Sequence, residues 1–359
     1  MRTNFNVLIL GASYGSLLAT KLLLAGHNVK LVCLPAEADL INKEGTRVRI
    51  PVKGMSSPLE IDSRKLPGKL SAGGPAAVRP TDYDLVALAM QEPQYASPGV
   101  RDLLAATAKA RVPCMSIMNM PPLPYLARIP GIPLEACRAC YTEPAVWDVF
   151  EPSLMTLCSP DPQASRPPDE KVNVLQVRLA TNFKAARFES DAHTAILRKL
   201  ESDIEAARFD TGSAKLELPV KLKVHESVFV PLAKWAMLMA GNYRCITKDG
   251  MRSIKDTVHG NLDKSRSVYE WVVELCKSLG ADPRDLVPFE KYAGAAQGLT
   301  GPSSAARALF GGAPNIERVD RLVQTIAAHK GMKCDALDEV VALVDAKLDA
   351  NRRAARKSA

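Results

Sequence analysis

Apolar positions gather into a strict order at the start of the chain. Asn6 to Leu10 is a short aliphatic run that stops at Gly11, the pattern of a strand buried on both faces. Ser16 to Ala25 is mostly apolar, built from good helix formers and closed by Gly26. A second apolar run, Val29 to Cys33, follows. This pattern predicts a right-handed βαβ unit between Phe5 and Leu34. The alternation continues with a helix at Ala36 to Glu44 and strands at Thr46 to Val52 and Tyr83 to Ala89. A helix at Val100 to Ala110 and a strand at Val112 to Met118 come next. Met55 to Pro80, rich in Gly, Pro and Ser, predicts a surface excursion. Glu135 to Leu157 and Val172 to Phe188 carry further strand-like pieces around the proline-rich Ser159 to Pro168, and Asp191 to Arg208 predicts an amphipathic helix. Strands alternating with helices imply a parallel sheet covered on both faces. Beyond Leu222 the texture changes, with helical patterns at Val228 to Ala240, Lys264 to Leu279, Pro283 to Ala296, Ala305 to Leu309, Ile316 to Lys330 and Ala336 to Asn351.

The first turn, Gly11-Ala12-Ser13-Tyr14-Gly15-Ser16, gives this pattern chemical meaning. Glycines let the backbone turn sharply and bring a pyrophosphate against helix N–H groups, where the helix dipole favours negative charge. The spacing is G-x-x-x-G, without the middle glycine of G-x-G-x-x-G. Ser13 and Ser16 are small enough for close approach, and Tyr14 lies within the same turn. A dinucleotide cofactor is therefore the first expectation, against a plain α/β turn that binds nothing. The expected fold class is an α/β N-terminal Rossmann-type domain with a parallel sheet over 1–221. An all-α C-terminal domain over 222–351 and a basic tail over 352–359 follow. The cleft between the domains is the default site. Ligands of such sheets lie beyond the carboxyl ends of the strands, which puts Gln91 and Asn119 on the ligand side. After Asn119, the run Met120-Pro121-Pro122-Leu123-Pro124 suits either a stiff loop holding the asparagine or a plain rigid connection.

Composition narrows the picture without changing it. Hydrophobic residues make up 47% and charged residues 24% of 359 positions, ordinary for two globular domains. No apolar run reaches membrane-spanning length, because Lys21 and Lys234 interrupt the candidates. The first residues lack the apolar core of a secretory signal, and the eight scattered cysteines fit reduced thiols. A cytoplasmic protein is expected. The net charge of +8 suits an anionic cofactor or substrate, and no nucleic-acid module accompanies it. Cys137-Arg138-Ala139-Cys140 has no second pair at zinc spacing, and the five histidines show no metal spacing. No metal is expected. The Cys137–Cys140 pair reads as two unrelated thiols in a strand region. His225 and Glu226 form a polar pair ahead of the Lys234 helix, suited to supporting a site or to a helix start.

Lys234 is the polar oddity of the apolar segment PLAKWAMLMAGN, with Leu238 and Asn242 one and two turns further along its face. A desolvated lysine can donate a proton to a carbonyl oxygen; more commonly such a lysine snorkels to water. The order of elements resembles that of the ketopantoate reductases, within the wider 6-phosphogluconate-dehydrogenase-like group. The resemblance rests on the N-terminal βαβ unit, Asn119, Lys234 with Asn242, Pro302-Ser303-Ser304, and the closing helix ending Ala-His-Lys-Gly at Gly331. It implies that NADPH delivers hydride to the C2 carbonyl of a branched 2-keto acid. Lys234 would be the general acid, Asn119 and Asn242 would position cofactor and substrate, and Ser303 or Ser304 would bind substrate. A homodimer through the helical domain is plausible on the same ground.

The departures bear on substrate and cofactor. Leu34 stands where an arginine often holds the 2′-phosphate, and no acidic residue there favours NAD, so NADP is expected with NAD kept open. Leu88 and Leu238 replace polar positions, and the substrate glutamate falls near Asn315, with Glu317 two residues on. The expectation is NAD(P)H-dependent reduction of a small-molecule 2-keto acid or related carbonyl. The alternatives are an opine-like or other keto- or imino-acid dehydrogenase, suggested by Leu88 and Leu238, and a non-catalytic dinucleotide-binding protein.

Overall fold

A computed structural model describes residues 4–358. The chain forms two compact units. The first contains residues up to Met90, Gln94–Tyr125 and Ala145–Glu226; the second contains Gln91–Pro93, Leu126–Pro144 and the chain from Ser227 onward.

The first unit is built on an eight-stranded sheet. Its strand order is Leu222–His225, Phe183–Ala186, Met155–Ser159, Cys114–Ser116, Leu85–Leu88, Asn6–Leu10 (β1), Asn28–Val32 (β2) and Leu70–Gly73. All neighbours run parallel except Met155–Ser159 with Phe183–Ala186. The predicted βαβ unit is present, with helix α1 spanning Ala12–Leu24 between β1 and β2. The chain leaves β1 towards one edge and returns to the other side at Leu85–Leu88. The strand order therefore reverses between them, where α/β sheets bind ligands.

Two strands lie inside the predicted surface excursion. Leu70–Gly73 closes the edge of the main sheet beside β2, and Leu59–Asp62 pairs antiparallel with Arg47–Ile50. The latter two join Val174–Leu179 and Gln163–Ser165 in a separate four-stranded sheet, so the predicted strand at Thr46 to Val52 belongs to a layer of its own. α1 lies against both sheets and is buried at every position except Ser13 and Tyr14. That explains its nearly unbroken apolar sequence. Lys21, 2% exposed, is inside this helix. Its Nζ donates to the carbonyls of Leu218 (3.2 Å) and Pro219 (3.0 Å), and burial, followed by the charge of Lys221, pulls its pKa down to about 7. The carbonyls it binds precede Val220, which has a φ of 65°, a rare conformation for a β-branched residue.

The strand-like reading of Glu135 to Leu157 is corrected for most of its length: Leu134–Leu154 forms short helical turns, and a strand begins only at Met155. Cys137 and Cys140 lie in those turns, and all eight cysteines are free thiols. His225 ends a strand, and Glu226 accepts from Arg198 (2.6 Å) and Arg187 (3.3 Å), so the pair completes a sheet edge in the first unit.

The second unit is helical. Its main elements are Leu262–Ser278, Phe289–Ala296, Ser304–Phe310, Val319–His329 and Asp335–Ser358. The last helix continues through the predicted basic tail, and Arg352 bonds the Pro314 carbonyl (3.0 Å) and Asn315 Oδ1 (3.1 Å). No helix among the described residues is long and apolar enough to cross a membrane.

Candidate functional site

The glycine turn is fixed by packing. Gly11 has a φ of 102°, and a Cβ there would fall 2.6 Å from Met90 Cγ and 2.8 Å from the Ala89 carbonyl oxygen. A Cβ on Gly15 would fall 2.7 Å from Ile9 Cγ2. Only glycine lets α1 begin this close to β1 and to the end of Leu85–Leu88. No side chain caps the start of α1, and no acidic residue occupies its first turn. Backbone N–H groups with no intrahelical partner are therefore presented beyond the strand ends, an arrangement that fits a pyrophosphate.

The side chains of this turn differ in what they offer. Ser13 is exposed. Ser16 is buried, and its hydroxyl donates back to the Ala12 carbonyl, so it stabilises the helix. The Tyr14 hydroxyl donates to the Pro162 carbonyl at 2.8 Å, and its ring meets Phe183 edge-on at 6.0 Å. Burial, helped by Cys158 and Asp161, holds the phenol well above its ordinary pKa. Asn119 is half-buried, three residues past the strand Cys114–Ser116. Gln91 is exposed and belongs to the second unit. There its neighbour Glu92, 2% exposed, accepts from Thr142 N (3.0 Å) and Oγ1 (2.8 Å).

In the second unit, the Lys234 segment is not one uniform helix. A 3-10 turn at Pro231–Ala233 leads into an α-helical turn at Lys234–Met237, then a π turn at Leu238–Asn242 and another 3-10 turn at Tyr243–Cys245. The regular one- and two-turn spacing expected for Lys234, Leu238 and Asn242 is corrected by this wider turn, which re-aims Asn242. Such turns occur often at functional sites. Lys234, Met237 and Asn242 are half-buried, whereas the other residues from Pro231 to Ile246 are buried. Leu238 is 2% exposed and packs in the core.

The π turn has its own support. The Tyr292 hydroxyl donates to the Met237 carbonyl at 3.1 Å, and a Cβ on Gly241 would lie 1.9 Å from that hydroxyl oxygen. Tyr292 stacks on Tyr269 at 5.4 Å and meets Phe289 edge-on. On the other side, Ser303 is 2% exposed, donates to the Asn242 carbonyl (2.6 Å) and caps Ser304–Phe310 by accepting from Ala306 N (3.1 Å). Ser304 is exposed at the start of that helix. The structure thus brings Asn242 and the Ser303-Ser304 pair together, with Ser303 serving the backbone.

Glu317 is a residue that the sequence placed only as a neighbour of Asn315. It is 8% exposed, its Oε1 accepts from Glu92 N (3.4 Å), and its carbonyl accepts from the Tyr243 hydroxyl. Tyr243 also accepts from Val319 N at 3.2 Å, fastening Glu317 to the residue after Asn242. Among the described residues there is no cluster of His, Cys, Asp or Glu that could hold a metal ion.

No family model matches the chain, and no curated protein sequence matches it. Solved structures do. A ketopantoate reductase from Ralstonia eutropha JMP134 superposes with a TM-score of 0.62 over 97% of this chain and 99% of its own, at 14% identity. The chain has the ketopantoate reductase fold. The 2-dehydropantoate 2-reductase of Methylococcus capsulatus gives 0.63 over 96% and 97%, at 14% identity. A D-mandelate dehydrogenase bound to NADH and anilino(oxo)acetate gives 0.61 over 97% and 99%, also at 14% identity.

Proposed function

We propose that the protein binds a reduced nicotinamide dinucleotide and uses it to reduce the carbonyl of a 2-keto acid or a related compound. The observation that carries this reading is the uncapped start of α1 in its glycine cradle, at the reversal of strand order. Solved proteins of the same fold include a D-mandelate dehydrogenase bound to NADH. Ala12, Ser13, Tyr14 and Gly15 would hold the pyrophosphate through backbone N–H groups, with the Ser13 hydroxyl beside them. Asn119 would bond the nicotinamide ribose, and Gln91 would lie near the cofactor.

When bound, the dihydronicotinamide supplies a hydride to the carbonyl carbon. The protein's part is the proton: Lys234 Nζ gives one to the carbonyl oxygen as charge develops there, and solvent returns it. Asn242 orients the substrate, and Ser304 offers the hydroxyl that Ser303 has committed to the Asn242 carbonyl. The opine-like alternative drew on Leu88 and Leu238 as apolar site walls. Both are core residues, 0% and 2% exposed, and give it no support.

Fluorescence titration with NADPH and with NADH tests the first half of the reading. Saturable binding of one or both is expected, followed by oxidation of the bound cofactor when branched 2-keto acids are supplied. Absence of binding would overturn the whole reading. Binding without oxidation across a panel of keto and imino acids would leave a non-catalytic dinucleotide-binding protein.

A further inference from the structure

The carboxyl end of β2 is where folds of this kind distinguish the two nicotinamide dinucleotides. An acidic side chain there takes the ribose hydroxyls, or an arginine takes the 2′-phosphate. Here β2 ends at Val32, and the next residues, Cys33 and Leu34, offer neither; Leu34 is 74% exposed.

The structure supplies the missing charge from elsewhere in the first unit. Arg166, just past the strand Gln163–Ser165 of the four-stranded sheet, is ion-paired through Nη2 with Oε1 of Glu37. Glu37 lies in the first turn of the helix Pro35–Glu44 that follows β2. Both charges reach Cys33. Burial pushes its thiol up to about 12, with Glu37 adding to the rise and Arg166 opposing it. Lys30 on β2 extends towards Gly73, with Nζ 3.5 Å from where a Cβ on that glycine would stand. Of the Arg166–Glu37 pair, the guanidinium is the more open, with 29% of its side chain exposed against 12% for Glu37. Glu37 occupies one edge of a group with five N–H donors. The remaining donors match phosphate geometry, and Pro167 and Pro168 stiffen the backbone beyond Arg166.

We infer that Arg166, steered by Glu37, is the residue that reads the 2′-phosphate, and that the protein therefore selects NADPH over NADH. This rests on the dinucleotide reading above and goes beyond it by naming the selecting residue. The role falls to an arginine 132 positions after Leu34, in the segment that follows a strand of the other sheet.

Binding of NADPH, NADH, 2′-AMP and 5′-AMP to the wild type, Arg166→Ala, Arg166→Lys and Glu37→Gln, measured by calorimetry and thermal shift, tests this. The wild type is expected to prefer NADPH, and 2′-AMP to stabilise it more than 5′-AMP. Arg166→Ala should weaken NADPH by about 10- to 100-fold and leave NADH nearly unchanged, with Arg166→Lys intermediate. Glu37→Gln should retain the NADPH preference. Equal losses for both cofactors in Arg166→Ala would overturn the inference. So would a wild type that prefers NADH and loses it in Glu37→Gln, which would make Glu37 the reader. Failure of every probe to bind would instead remove the dinucleotide reading on which the inference stands.

Discussion

The start of α1 and the turn after Lys234 both depend on a glycine pressed against its surroundings, yet they use the close approach in opposite ways. At Gly11 and Gly15 it seats a regular helix on the sheet and leaves that helix's first N–H groups uncapped. At Gly241 it admits the Tyr292 hydroxyl, which satisfies the Met237 carbonyl beside a widened turn. The first region presents backbone donors, so its side chains can vary, as Ser13 does at the usual middle glycine. The second presents side chains whose directions depend on how the helix is wound, so it tolerates little change. A glycine at a close contact therefore identifies a ligand cradle only where backbone groups stay open beside it.

The sharpest way to break this comparison is Lys234→Ala. Turnover should fall by about 10²- to 10⁴-fold, the range for a lost general acid, while NADPH affinity in a fluorescence titration changes little. Retained turnover would remove Lys234 from the mechanism. Next comes Gly241→Ala, which would gain about 1 kcal/mol from helix propensity were Tyr292 absent. With Tyr292 in place, a loss of about 1–3 kcal/mol is expected from overpacking. In the double variant with Tyr292→Phe, the measured losses should fall well short of additive in denaturant titration. Additive losses would show that the contact does not hold the turn.

Lys21 provides a pH-dependent test of the first region's helix. Its folded pKa of about 7 lies below the ordinary 10.5, so between those values the unfolded chain binds the extra proton. Stability should rise with pH from about 7 to 8.5, by at most about 1.4 kcal/mol per unit. Lys21→Met should flatten that slope; an unchanged slope would place the charge elsewhere. The smallest effect belongs to Ser13→Ala. If the backbone carries the cradle, NADPH affinity should drop by less than about tenfold, the worth of one hydrogen bond.

Much of the fold was legible because burial on both faces writes itself as continuous apolar runs. β1, α1, β2 and the helices Leu262–Ser278, Ser304–Phe310 and Val319–His329 fall where the pattern placed them, within about four residues, whereas the helix expected from Pro283 begins only at Phe289 and the last helix runs on to Ser358. Leu59–Asp62 and Leu70–Gly73 were missed because they are four residues long, partly exposed and poor in β-branched side chains. Leu134–Leu154 was misread because its short helical turns are anchored by scattered buried residues such as Tyr141, Val146, Trp147 and Phe150, types that also favour strands. At the candidate site, residue types were visible but not their commitments. Nothing in the sequence shows that Ser16 bonds Ala12, that Ser303 caps a helix, or that the helix after Lys234 widens. These facts depend on winding and on partners such as Pro162 and Tyr292, distant in sequence from the residues they hold.

The division into two units has a last consequence. The chain passes from one unit to the other five times, through segments as short as Gln91–Pro93. Glu92 and Thr142 bond each other inside the second unit, although the segments that carry them, Gln91–Pro93 and Leu126–Pro144, are each bordered in sequence by residues of the first. Neither unit is a portable stretch of gene: no single cut frees one intact, and a fusion or truncation at Ser227 would carry away a body lacking its own interior pieces.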